Sequence, residues 1–292
     1  MIKIKFIKTL KTIGGKIRLL KKLIPIIRFV VKSYQMIGVL DLFGGGNKFI
    51  PQLDRFSIPI RIYNELDEGI SNLMACLADE NKAKAVIDLA FQLQDEYKTK
   101  EAFHEARKKR RSKDTPQIES AALTLIVAEF SRAGDRIKYY RPNVERGIKH
   151  KSLMRFMELV PIMRDVCVTC ASYKIFFEIY GHRSDFLAIL DPPYVNADCY
   201  EDSFPNWMHE EMVRTIVDTQ MKVILCGTDN TIYDYLSPER GWYKYKLGEI
   251  PRSNVGKADT VQEEFIWTNF VIPHFLLSRL DIQPVYPINP IK

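Results

Sequence analysis

The sequence predicts an α/β protein built on a parallel sheet covered on both faces, with a long, mostly helical insertion. Three observations predict it. Short apolar runs bounded by turn residues recur at 37–42, 58–63, 186–190, 222–226 and 242–247, with another at 264–270, and read as strands. Apolar residues at helical spacing fill several of the gaps, as at 67–77, where Asp67 or Ser71 can cap the first turn, and at 208–220. Strands that alternate with helices pair in parallel, because each crossover helix packs back onto the sheet. Finally, residues 82–163 break the alternation with a charged, helix-type stretch. The expected organisation is therefore one main domain from residues 1–81 and 164–292, interrupted by a helical insertion at 82–163.

A chain of 292 residues is long enough for one large core with a smaller insertion. Its 46% hydrophobic and 27% charged content excludes disordered and collagen-like classes. The net charge of +7 and a sequence pI near 9.0 imply an anionic partner, nucleic acid or an acidic membrane, since clustered cations gain free energy by displacing condensed counterions. Residues 1–32 carry many Lys and Arg and no acid, but Pro25 and Arg28 interrupt their longest apolar run. A transmembrane span or signal peptide is not expected there; a basic, nucleic-acid-facing or core-packing segment is favoured over a membrane-surface helix. No membrane partner is expected. Five scattered cysteines do not form a disulfide framework, so reduced thiols in a cytoplasmic setting are expected. Cys167 and Cys170 have no second pair and no nearby His, which favours strand packing over zinc, and no metal is expected. Trp207 and Trp267 read as core or interface anchors.

Three segments carry candidate chemistry. Asp41-Leu42-Phe43-Gly44-Gly45-Gly46-Asn47 follows a strand, and its glycines permit a tight turn with close backbone approach to a ligand. Some twenty residues on, Glu65 ends the next strand, at the distance where a carboxylate commonly accepts from ribose hydroxyls; Asp67 is the better helix cap. The third, Asp191-Pro192-Pro193-Tyr194, abruptly ends a buried-strand pattern. An exocyclic amine needs two acceptors for its two hydrogens. The Asp191 carboxylate can take one and the Pro192 carbonyl the other, while Pro193 stiffens the turn and Tyr194 offers a face on which an extruded base can stack.

The order of these motifs resembles the Dam-type DNA adenine methyltransferase family. Gly14-Gly15-Lys16 is similar to its N-terminal Gly-Gly-Lys, residues 43–46 to its glycine loop, Glu65 to its ribose-binding acid, and residues 191–194 match its Asp-Pro-Pro-Tyr without change. Ala171-Ser172-Tyr173, Cys226-Gly227-Thr228-Asp229-Asn230-Thr231, and the segment from Arg252-Ser253-Asn254 to Glu263-Glu264-Phe265 resemble later family segments, so the likeness spans residues 12–272. It implies a Rossmann-like sheet that binds S-adenosylmethionine through Gly14, Lys16, Asp41, Phe43, Gly44, Gly45, Gly46, Glu65, Ser172, Tyr173 and Asp191. It also implies transfer of the methyl group to N6 of an adenine flipped from double-stranded DNA, by a monomer in the cytoplasm of a bacterium or phage-infected host, as in restriction-modification. Residues 82–163 become the target-recognition insertion.

Within that insertion, Arg132, Arg136, Lys138, Tyr139 and Arg141 interleave charge and aromatics as DNA contacts do, whereas the run Arg107-Lys108-Lys109-Arg110-Arg111-Ser112-Lys113 fits a solvated helix face or DNA equally well. Two departures stand out. Asn47 replaces a frequent glycine, but tolerates positive φ. The stretch after residues 121–130 lacks the family's Asn-Gly-Leu-x-Arg pattern, so the GATC target does not carry over. The alternatives are a protein of this fold that binds DNA without catalysis, or an amino-methyltransferase of cytosine N4 or RNA adenine.

Overall fold

Each apolar run expected as a strand enters one sheet, which the computed structural model describes together with the rest of residues 6–7, 9–11, 19–53, 57–197, 201–251 and 261–286. Helix α1 (Leu20–Ser33) precedes β1 (Gly38–Asp41), β2 (Ile60–Asn64) and α2 (Glu68–Cys76). Six helices then follow without a strand: α3 (Glu80–Leu93), α4 (Lys100–Lys109), α5 (Gln117–Phe130), α6 (Arg141–Arg146), α7 (His150–Met154) and α8 (Val160–Met163). The alternation resumes with β3 (Cys167–Thr169), α9 (Tyr173–Tyr180), β4 (Phe186–Leu190), α10 (Asn206–Ile216) and β5 (Lys222–Gly227). It closes with β6 (Tyr243–Pro251), β7 (Val261–Thr268), α11 (His274–Leu280) and β8 (Gln283–Pro284).

The strand order is β3-β2-β1-β4-β5-β7-β6-β8; β1 to β5 are mutually parallel, and β7, β6 and β8 add antiparallel strands at one edge. This mixed sheet is compatible with a Rossmann-like fold. Side chains alternate between two cores. Val39, Leu187, Ile189 and Ile224 pack under α1 and α11 on one face, whereas Leu40, Ala188, Leu190, Val223 and Leu225 pack under α9 and α10 on the other. Burial on both faces is why β4 reads Phe-Leu-Ala-Ile-Leu without polar alternation. The chain runs from β1 outward to β2 and β3, then returns to place β4 on the other side of β1. The direction of winding therefore reverses between β1 and β4, and the carboxyl ends of those strands diverge into a crevice.

The basic N-terminal segment is core-packing over its described helix. In α1, Leu20, Leu23, Ile24, Ile26, Ile27, Val30 and Val31 are buried, each worth about 1.5–3 kcal/mol of transfer free energy. Its cations partly serve the fold: Lys22 Nζ donates to the Leu247 carbonyl at 2.7 Å and Arg28 Nη2 to that of Gln52 at 3.0 Å. No helix among the described residues is long and apolar enough to cross a membrane. The three-residue β3 escaped the sequence pattern because it is too short to show a period, and Cys167 lies in it, exposed.

The helices between β2 and β3 share a core with α2, and α5 lies at its centre with residues 120–128 and Phe130 buried. An ion cluster fastens this helical mass to the sheet's carboxyl edge. Asp67 caps α2, accepting from Ile70 N at 3.0 Å, and its two carboxylate oxygens also take a bidentate pair from Arg110 at 2.6 and 2.7 Å. Arg110 has no exposed side chain; Gly69 leaves it room, since a Cβ there would lie 2.6 Å from its guanidinium. The same guanidinium donates to Glu201, which Arg107 also reaches at 3.2 Å, while Arg111 pairs with Asp202 at 2.7 Å. The run at 107–113 thus divides: Lys108, Ser112 and Lys113 are exposed, and Arg110 is buried. Three of its arginines are turned inward onto carboxylates.

Burial by itself would raise the Asp67 pKa, but Arg110, helped by Arg136 and Arg111, outweighs it and holds the group at about 2. Because folding lowers this pKa, the stabilisation is present above the ordinary carboxylate range and is lost as pH falls from about 4 through about 2. Removing one partner leaves a buried charge uncompensated, so Arg110→Met is expected to destabilise the protein by about 3–5 kcal/mol in urea denaturation at neutral pH. Asp67→Asn should lose less and flatten the acid limb of the stability curve.

Candidate functional site

The parallel strands deliver their ends to a cleft of about 360 Å³. The glycine loop arrives from β1, Asn64 and Glu65 from β2, Ala171, Ser172 and Tyr173 from the turn after β3, and Asp191 and Pro193 from the turn after β4, whereas Asp41, the last residue of β1, is fully buried and does not line the cleft. Motifs as much as 150 residues apart meet because parallel strands share one carboxyl edge. In the loop, Gly45 has φ +47° and Asn47 φ +57°, so asparagine adopts the left-handed turn as expected. Asn47 is fully buried, its amide directed at the sulfurs of Met163 and Met74.

Glu65 closes the loop against β2. Its carboxylate accepts from Gly45 N at 2.6 Å and Asp67 N at 2.9 Å, while the Tyr63 hydroxyl donates to the Gly45 carbonyl at 2.7 Å. Burial raises the Glu65 pKa, and those two backbone donors work against the rise. Fixed by two amides on its inner lone pairs, the carboxylate can still accept from ligand hydroxyls in the cleft.

Asp41 is the electrostatic anomaly. It ends β1 with no exposed surface, and neither carboxylate oxygen has a hydrogen-bond partner among the described residues. Burial, and then the nearby Asp191 and Glu65, raise its pKa well above the ordinary range. Several acids of the cleft are compensated: Asp67, Glu201 and Asp202 by the arginine cluster and Glu211 by Lys174 at 2.5 Å. On the opposite side Lys48 is buried and bonded to Thr9 Oγ1 at 2.9 Å and to the Leu10 carbonyl, and burial, with Arg155 and Arg136, lowers its pKa to about 8. Lys48, Arg136 and Lys174 line the cleft among a larger number of acids. Its walls are aromatic. Phe43 stacks on Tyr173 with centroids 5.5 Å apart and meets the edge of Phe204 at 5.6 Å, a setting for a flat ring. Ser172 caps α9, accepting from Lys174 N at 3.4 Å, and burial, then Glu211, pushes the Tyr173 hydroxyl up to about 12.

Within the tetrapeptide the residues separate. Asp191 and Pro193 face the cleft, Pro192 is buried, and Tyr194 does not line the cleft: its hydroxyl donates to Glu264 Oε1 at 2.7 Å. Of the residues read as DNA contacts, Arg132, Lys138 and Arg141 are exposed, whereas Arg136 turns into the cleft, 3.8 Å from Glu201. Tyr139 is tied down by donating to the Lys98 carbonyl at 2.7 Å and packing against Phe103. Gly14 and Lys16, like Arg252, Ser253 and Asn254, lie outside the described residues. Trp267 is buried in the sheet core as expected, but Trp207 is not in a core: it stands 61% exposed at the cleft, because α10 turns only His209, Met212, Val213 and Ile216 inward. Lys48, Phe204 and Glu264 were not singled out as site residues. The first immediately follows the glycine loop and could have been flagged; Phe204 lies in an irregular stretch without periodic signal. Among the described residues no cluster of His, Cys, Asp or Glu could hold a metal ion.

Since folding raises the Asp41 pKa, ionisation opposes folding, and stability present below the unfolded pKa is lost as pH rises toward the folded one. Asp41→Asn is expected to raise the melting temperature at pH 8 by about 2 °C or more, with the gain vanishing near pH 4. Calorimetry across that range checks both the sign and its disappearance. No protein-family model matches the chain, and no curated protein matches it.

Proposed function

We propose that the protein is a Dam-type, S-adenosylmethionine-dependent methyltransferase that modifies N6 of adenine in double-stranded DNA, with residues 82–163 as its recognition insertion. One observation carries the reading: Asp191 of Asp-Pro-Pro-Tyr meets the glycine loop and Glu65 in a single cleft at the winding reversal of the sheet. The charge of the cleft supports it. S-adenosylmethionine has a sulfonium and an ammonium against one carboxylate and no phosphate, which suits a cleft lined by Asp191 and Glu65 better than a dinucleotide would. Glu65 would hold the ribose hydroxyls, and Phe43, Tyr173 and Phe204 the adenine ring.

Bound there, S-adenosylmethionine supplies an electrophilic methyl that needs alignment and no activation by acid or base. The protein's task is to make N6 nucleophilic. Asp191 accepts one N6 hydrogen and the Pro192 carbonyl the other, which localises the nitrogen lone pair and stabilises positive charge as it develops. The proton then leaves to solvent. Tyr194 stacks the extruded base, offsetting part of the few kcal/mol that flipping costs. Exposed Arg132, Lys138 and Arg141 contact phosphates.

Labelled methyl groups from S-adenosylmethionine are expected to enter mixed-sequence duplex DNA, with N6-methyladenine as the product on nucleoside mass analysis. N4-methylcytosine, or labelling of RNA alone, would redirect the assignment, and no incorporation by folded protein would end it. Asp191→Ala should lower turnover by roughly 10²-fold or more while leaving DNA binding intact.

A further inference from the structure

Tyr194 is held at both ends. Pro192 and Pro193 restrict its backbone approach, and its hydroxyl donates at 2.7 Å to Glu264, seventy residues away on β7. Glu264 has no exposed surface and also accepts from Gln262 Nε2 at 2.9 Å. A carboxylate so deeply buried is costly unless its lone pairs are used, and the phenol is one of the groups that use them. The β6–β7 ladder shifts register between Lys246 and Gly248, at the residues paired with Phe265 and Glu264, so this part of β7 faces a local irregularity of the kind that accompanies sites. Pinning the hydroxyl to a strand of the sheet fixes both side-chain torsions of Tyr194 while its ring stays half-exposed.

We propose that Glu264 is a positioning residue that holds the Tyr194 ring as a preset stacking surface beside Asp191, a role that rests on the methyltransferase reading. Two physical effects act together. A ring fixed beforehand loses no torsional entropy when a base arrives. A phenol that donates to a carboxylate is richer in electrons, and its face better stabilises a base acquiring positive charge as the new bond forms at N6. The second effect belongs to the transition state, so it appears in kcat rather than in cofactor affinity.

The test uses the full chain with labelled S-adenosylmethionine and mixed-sequence duplex DNA. Glu264→Leu is expected to lower kcat on the order of ten- to a hundredfold while the Kd for S-adenosylhomocysteine stays within about twofold. Glu264→Gln, whose amide oxygen still accepts, should recover most of the loss. The double variant Tyr194→Phe/Glu264→Leu should be no slower than the slower single variant, because both remove the same link. Should Glu264→Leu not fold, Tyr194→Phe alone and combined with Glu264→Gln carry the same comparison: Tyr194→Phe must lower kcat, and the second change must add nothing. Unchanged kcat, or losses that multiply, would overturn the role while leaving the proposed function standing. Absence of any transfer by the unaltered protein would remove both.

Discussion

The burial of Asp41 is the constraint around which the site is arranged. Its strand, β1, pairs with β2 on one side and β4 on the other and has apolar layers on both faces, so a side chain at its end finds no water. A carboxylate there opposes folding, and more so with Asp191 and Glu65 close by. A sequence selected for stability alone would not keep an acid at that position.

The remaining charges show how selectively compensation is distributed. Arg110 neutralises Asp67 and reaches Glu201, Arg107 and Arg111 hold Glu201 and Asp202, and Lys174 holds Glu211. These pairs tie α4 and the turn after it to Asp67, Glu201 and Asp202, and α9 to α10, while the buried Asp41 carboxylate has no hydrogen-bond partner among the described residues. A basic run and a net charge of +7 would ordinarily be read as surface for an anionic polymer. Here the three arginines of the run pair with carboxylates, whereas Lys108 and Lys113 of the same run are exposed, as are Arg132, Lys138 and Arg141.

Rigidity around the tetrapeptide comes from different directions. The glycine loop is closed by Glu65, the Tyr63 hydroxyl and Asn47. Tyr194 is fastened to β7 through Glu264, and Gln262 joins that carboxylate. Asp191 thus lines the cleft, while three residues on Tyr194 is fastened to the antiparallel edge of the sheet.

Much of this was legible in the residues. The unbroken apolar run at Phe186–Leu190 required a strand buried on both faces, the glycines and Asn47 required a left-handed turn, and Asp67 before an apolar helical pattern required a cap, since each is set by local sterics or by the period of the backbone. What depended on distant neighbours was not legible. A sequence cannot tell an arginine that meets solvent from one that meets Asp67, so nothing in the run at 107–113 separates buried Arg110 from exposed Lys108 and Lys113. Nor could it place Trp207 at the cleft instead of the core, turn Arg136 inward, or join Tyr194 to Glu264. Local chemistry named the turns, caps and strand ends; only the sheet order, which carries separate strand ends to one edge, decided which side chains share a dielectric environment and hence which charges are paired and which one is left bare.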